Sequence, residues 1–158
     1  MKKLLAVMNL VCASGAVGAV QGNTPAEVSA AIGRQGAGAF LRSLDEAAVD
    51  RLFERIGTGR ADWVALAPKL AVAADGANAE GLGIAFAYAL PRNPAAVSKV
   101  VDPVQGDSHI LAISRVCGIP FIEDAPKNYK SKTLHAVSAV TTANPHINAR
   151  CLDALRTS

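Results

Sequence analysis

Asp107, Ser108 and His109 supply the residue types of a nucleophilic hydrolase, set side by side. That chemistry needs the base to meet the hydroxyl in space, whereas neighbours on a helix point about 100° apart. Capping a helix is the better use of Asp107 or Ser108, and no GxSxG elbow occurs in the chain. His109, His135 and His146 are scattered, with no HExxH or HxH pattern, so neither a metal nor a cofactor is expected. The glycine-rich runs Glu80-Gly81-Leu82-Gly83 and Gly33–Gly38 have no preceding strand and no phosphate-loop lysine. They fit close helix packing or a helix break. Carboxylates pair at Asp45/Glu46, Asp50/Glu54 and Glu123/Asp124. Asp50 and Glu54 sit one helical turn apart beside Arg51 and Arg55, as on an ordinary solvated face. Glycan cleavage would need such a pair in a cleft, in environments that differ.

The compartment decides how the remaining reactive residues are used. Lys2 and Lys3 precede an apolar run from Leu4 to about Ala13, and small residues continue to Ala19. Charge, then apolar residues, then small residues is the order of a Sec-type signal peptide. Val17 and Ala19 satisfy the −3/−1 positions, so residues 1–19 are expected to be removed and the protein to be periplasmic or secreted. A retained span would need about 20 continuous apolar residues. Asn9, Ser14, Gly15 and Gly18 interrupt this one. Lipidation at Cys12 fits poorly after Asn9-Leu10-Val11. The expected product, residues 20–158, is one domain with no stable membrane span.

Of sixteen basic residues two are Lys2 and Lys3, so the expected product carries fourteen against thirteen acidic ones. A balance near +1 is not the footprint of a nucleic-acid binder. Cys117 and Cys151 remain as an even pair in an oxidising compartment, for which a disulfide is the default. A catalytic thiol or a metal site is the alternative. Neither is supported, because CxxC is absent and no His or carboxylate stands at ligand spacing. The densest charge lies in Lys127-Asn128-Tyr129-Lys130-Ser131-Lys132. Lys127, Tyr129, Lys130 and Lys132 are the candidate partner-binding residues, against the plainer reading of a solvated first helical turn. Cations there oppose the helix dipole, which leaves a reason to suspect a function.

These residues hang on a helical framework. Hydrophobic residues make up 51% of the chain and aromatics only 4%, which suits helices meeting closely over small side chains. Thr24-Pro25-Ala26-Glu27 is a capping-box start. The segment then runs through Ile32 to Leu44 as one helix, or as two broken near Gly36. Asp45 caps a helix with Val49, Leu52, Phe53 and Ile56 on one stripe, with Gly57 placed to stop it. A helix from Asp62 carries Trp63, Leu66 and Leu70, with Pro68 inside it to kink or shorten it. Asn78 to Leu90 is apolar enough to be central and buried. Asn93-Pro94 opens a short helix, Asp107 or Ser108 caps another ending at Cys117-Gly118, and Ile119–Ile122 is an extended connector. Lys127 to about Thr142 and Pro145 onward complete the set. The expectation is an all-α, compact array of seven to eight short helices paired as HEAT-like helical hairpins, with one disulfide clasping the last helix.

The segments Trp63–Pro68, Glu80–Ile84, Ala89–Val97, Cys117–Glu123 and Cys151-Leu152 resemble a family of small exported helical proteins from β-proteobacteria. The likeness covers most of the chain after the signal and brings no assigned activity or catalytic residues. More loosely, the architecture is similar to periplasmic immunity proteins that neutralise type VI amidase effectors. Together these imply an exported, non-enzymatic helical protein that binds another protein in the cell envelope, as an immunity or accessory factor. The alternatives are a cell-wall or glycan hydrolase using carboxylates such as Glu80 or Glu123, and a small-ligand carrier with a groove between helices.

Overall fold

The computed structural model describes residues 24–102, 109–121, 125–140 and 144–158. The expected signal segment, the Asp107/Ser108 cap and the Glu123/Asp124 pair lie outside the described residues. The described part is all-α, with ten helical segments: α1 (Pro25–Gln35), α2 (Ala37–Arg42), α3 (Glu46–Gly57), α4 (Ala61–Val64), α5 (Ala67–Ala71), α6 (Gly76–Ala89), α7 (Pro94–Ser98), α8 (Ile113–Val116), α9 (Tyr129–Ser138) and α10 (Pro145–Thr157). Among the described residues the only extended pairing is an isolated bridge between Asp102 and Ala112.

Local chemistry sets most of the boundaries. At the start of α1 the Thr24 hydroxyl accepts from Glu27 N at 3.2 Å, and the Glu27 carboxylate accepts from Thr24 N at 3.0 Å, completing the capping box. Gly36, at φ 81°, divides α1 from α2. Asp45 caps α3 by accepting from Ala48 N at 2.7 Å. Gly57 is the last residue of α3, and the chain reverses two residues later at Gly59, where φ is 77°. The helix expected from Asp62 is two pieces. Pro68 has no N–H to give a continuous helix, so α4 ends at Val64 and α5 restarts with Pro68 in its first turn. Asp62 is the second residue of α4; its carboxylate accepts from Trp63 N at 3.0 Å and from Arg60 at 2.6 Å, and the Arg60 hydrogen bond holds it below the usual carboxylate range. The helix expected from Asp107 begins only at Ile113, and the one expected from Lys127 begins at Tyr129, after Asn128 in the left-handed region.

A single apolar core runs from Val28 of α1 to Leu155 of α10. At its centre is α6, which meets α3, α5, α7 and α8 and buries Leu82, Ala85, Phe86, Ala87 and Ala89. Each large apolar side chain so buried contributes about 1.5–3 kcal/mol. The last two helices form an antiparallel hairpin. Lys130 at the start of α9 donates to Arg156 O and Ser158 O at the end of α10, while Asn148 Nδ2 donates back to Val140 O. In the middle of the molecule the main pairing is not between sequence neighbours. Gly57 packs on Ala85 and Tyr88, and Gly59 on Ala89 and Arg92, after Phe53 has met Gly81. Residue numbers rise together on the two sides, so α3 and α6 run parallel, with α4 and α5 as the crossover.

A disulfide joins Cys117, at the C-terminal end of α8, to Cys151 in α10, with the sulfurs 2.05 Å and the Cα atoms 5.2 Å apart. Both cysteines are buried in the core. The bond therefore fastens the α9–α10 hairpin to the α6–α8 body, as a clasp on the last helix would.

Candidate functional site

The parallel pairing of α3 and α6 leaves an open groove of about 620 Å³ on the surface. Its floor is Phe53, Gly57, Gly81, Ile84 and Ala85; Asp50, Glu54 and Thr58 form one wall, and Tyr88 and Arg92 stand at one end. The floor exists because two helix positions have no side chain. A Cβ on Gly81 would come within 2.7 Å of the Phe53 ring, and one on Gly57 would touch Tyr88 and Ala85 at 3.4–3.6 Å. The helices therefore approach closely at these points, and Phe53 fills the space under Gly81. Five of the ten lining residues, Asp50, Glu54, Thr58, Tyr88 and Arg92, are exposed.

The electrostatics of the groove are uneven. Asp50 and Glu54 stand one turn apart on the same face of α3, and like charges at that spacing repel by a few tenths of a kcal/mol. Neither carboxylate has an ion-pair partner among the described residues. Arg55, one of the arginines beside them in sequence, instead lies over the Trp63 ring, 5.1 Å from its centroid. At the far end Arg92 Nη1 donates to Gly57 O at 2.6 Å and to Tyr88 O at 3.0 Å. Since α3 and α6 are parallel, both C-terminal ends gather there, and the guanidinium offsets their partial negative charge. Asn93 completes the joint by donating from Nδ2 to Gly59 O at 2.8 Å while its Oδ1 caps α7. Arg92 is thus committed to the scaffold, and the groove keeps a net acidic wall.

Aromatic packing extends outward from the groove. The Tyr88 ring meets Phe121 edge-on at 5.4 Å, and Phe121 meets Tyr129 edge-on at 5.0 Å. This row carries the extended Ile119–Phe121 connector across α6 to the start of α9.

The residues singled out in the sequence are placed as follows. Tyr129 is 5% exposed, and burial pushes its phenol up to about 12. Lys130 is held at the end of α10. Lys127 and Lys132 remain exposed, on the rim of a shallow surface formed with Ile119, Pro126 and Leu134 or on its flank. The basic run is therefore divided between structural duty and a solvated face. His109 is half-buried, with Nδ1 accepting from Leu111 N at 3.3 Å; His135 and His146 are exposed. No three His, Cys, Asp or Glu side chains gather as a metal-holding group among the described residues. Glu80 borders a second cleft, of about 630 Å³, with Gly76, Gly83, Ile110 and Arg115, away from Asp50 and Glu54.

Sequence reasoning missed the groove. Asp50 and Glu54 look like any solvated acidic face until α6 is placed beside them, and Ile84 and Tyr88 look like further apolar positions of a buried helix. The available signal was the pair of glycines inside helical patterns, Gly57 and Gly81, which mark where helices can touch. No helix among the described residues is long and apolar enough to cross a membrane. Comparison of the chain with protein-family models, with curated proteins and with solved structures gives no significant match.

Proposed function

We propose that this chain is an exported, non-enzymatic protein-binding factor of the cell envelope, an immunity or accessory protein whose working surface is the α3–α6 groove. The observation that carries the reading is the groove itself: an apolar floor with Phe53 and Ile84, Tyr88 at one end, and one wall with Asp50 and Glu54, which have no ion-pair partner among the described residues. Aromatic and aliphatic groups ringed by polar side chains are what a protein partner uses as an anchor site. The buried disulfide supports residence where thiols oxidise, in keeping with the signal-like residues 1–19. Asp50 and Glu54 share one solvent-facing environment, so nothing divides them into the acid and base that a hydrolase needs.

Photocrosslinking tests this in the protein's own host. The full chain with a benzophenone amino acid in place of Ile84 is expected to form a discrete protein adduct in the envelope fraction. The same probe in place of Lys69, on α5 and outside the groove, is expected to form none. Equal labelling from both positions, or no adduct from position 84, counts against the reading. Carriage of a small ligand is the second reading, because the groove volume falls within the roughly 300–1,000 Å³ of ligand sites. Ligand-dependent thermal stabilisation without any protein adduct would favour it.

A further inference from the structure

We infer that the groove selects a cationic partner segment: a helical or extended stretch that sets an apolar side chain on the floor and a lysine or arginine against Asp50 and Glu54. This rests on the groove being the working surface and adds the chemistry of its occupant.

Charge complementarity argues for it. Asp50 and Glu54 are one turn apart, exposed and without ion-pair partners among the described residues, so a cation brought by a partner would relieve their repulsion. Arg92, the one cation lining the groove among the described residues, is bound to the carbonyls of Gly57 and Tyr88. It leaves the acidic wall uncompensated at the other end. From Asp50 to Thr58 the wall is about 12 Å long, close to two helical turns of a partner. That length matches an apolar anchor and a cation three or four residues apart on one face of a segment. Tyr88 is 39% exposed; Arg92 already lies over its ring, 5.7 Å from the centroid, and what remains exposed is apolar surface that the methylene stem of a lysine or arginine can cover. An acidic segment would meet Asp50 and Glu54 as like charges, and the groove disfavours it.

A leucine–lysine amphipathic peptide of about 14 residues, and its leucine–glutamate counterpart, test the inference by fluorescence anisotropy with the full chain. The lysine peptide is expected to bind, and the glutamate peptide not to. Asp50→Asn with Glu54→Gln is expected to weaken the lysine peptide about five- to tenfold, as two partly exposed charge pairs would. Both residues are exposed, so the double variant is expected to melt as the parent does. Asp153→Asn, on α10 and outside the groove, is expected to leave binding unchanged. Raising the salt from about 50 mM to about 500 mM is expected to weaken the parent and to affect the double variant less. Equal binding of both peptides, or of parent and double variant, overturns the inference. Should that happen while the Ile84 adduct forms, the groove remains the working surface and only its charge preference is wrong.

Discussion

The ring of Phe53 lies against the bare Cα of Gly81, so that a Cβ there would stand 2.7 Å from both Cδ2 and Cε2. Together with the close approach at Gly57, this contact sets the distance between α3 and α6, and so the width of the groove. Gly81→Ala gains about 1 kcal/mol of helix propensity but must displace a packed aromatic, at a cost of about 1–3 kcal/mol. A net destabilisation of about 1 kcal/mol is expected in chemical denaturation. Peptide binding in the groove should weaken with it, since the displaced ring moves into the floor.

Arg92 joins the C-terminal ends of two parallel helices through Gly57 O and Tyr88 O. Arg92→Ala leaves both carbonyls to water and is expected to cost about 1–2 kcal/mol. Arg92→Lys, with one compact ammonium in place of the planar fork, should recover only part of it. Thermal melts of the three proteins check the order.

The disulfide closes a loop of 34 residues in sequence separation. In the chain-entropy model such a cross-link is worth roughly 3.5–4 kcal/mol. Cys117→Ala with Cys151→Ala is expected to lower the unfolding free energy by about 2–4 kcal/mol. Loss of amide protection should be greatest in α10, which besides its buried Ile147 and Leu155 is tied by the hydrogen bonds of Lys130 and Asn148. An unchanged denaturation midpoint would show that packing alone holds the hairpin.

Tyr129 supplies a pH dependence with a definite sign. Burial raises its folded-state value to about 12, so the folded protein favours the neutral phenol. An unfolded tyrosine titrates near 10. The stability this contributes is complete below about pH 10 and is lost as the pH rises through about 12, amounting to at most about 2–3 kcal/mol. The hydroxyl has no hydrogen-bond partner among the described residues. Tyr129→Phe should therefore fold well and lose less stability than the parent between about pH 9 and pH 11.5. Parallel alkaline denaturation curves for the two proteins would show that the ring is not the source.

Much of the scaffold is legible in the sequence because its signals are local. The Thr24–Glu27 box, the Asp45 cap and the apolar 78–90 segment each depend on a few adjacent residues, and each is present; of the two alternatives at Gly36, the broken helix is the one found. The disulfide follows from an even pair of cysteines. Boundaries shift where a tertiary demand intervenes. Gly57 is the last residue of α3, as its glycine signals, but a side chain there would also press on Tyr88, and the positive φ of the turn falls two residues later at Gly59, against Ala89 and Arg92. Helical hairpins describe α9 and α10, whereas the parallel α3–α6 pair brings together residues about 30 apart, a relation no local pattern encodes. For the same reason the groove was not legible. Asp50 and Glu54 are informative only beside Ile84 and Tyr88. The basic run at 127–132 misleads in the opposite sense, since its chemistry is visible in sequence while the burial of Tyr129 and the tether on Lys130 are not.

The central claim is that a partner seats between α3 and α6, and backbone amide shifts report on it most directly. Titrating the leucine–lysine peptide into isotope-labelled full chain is expected to move the resonances of Asp50, Glu54, Gly57, Ile84 and Tyr88. Those of Lys127, Lys132 and the α10 face should stay in place. Shifts confined to residues 127–134, with a silent groove, would contradict the account.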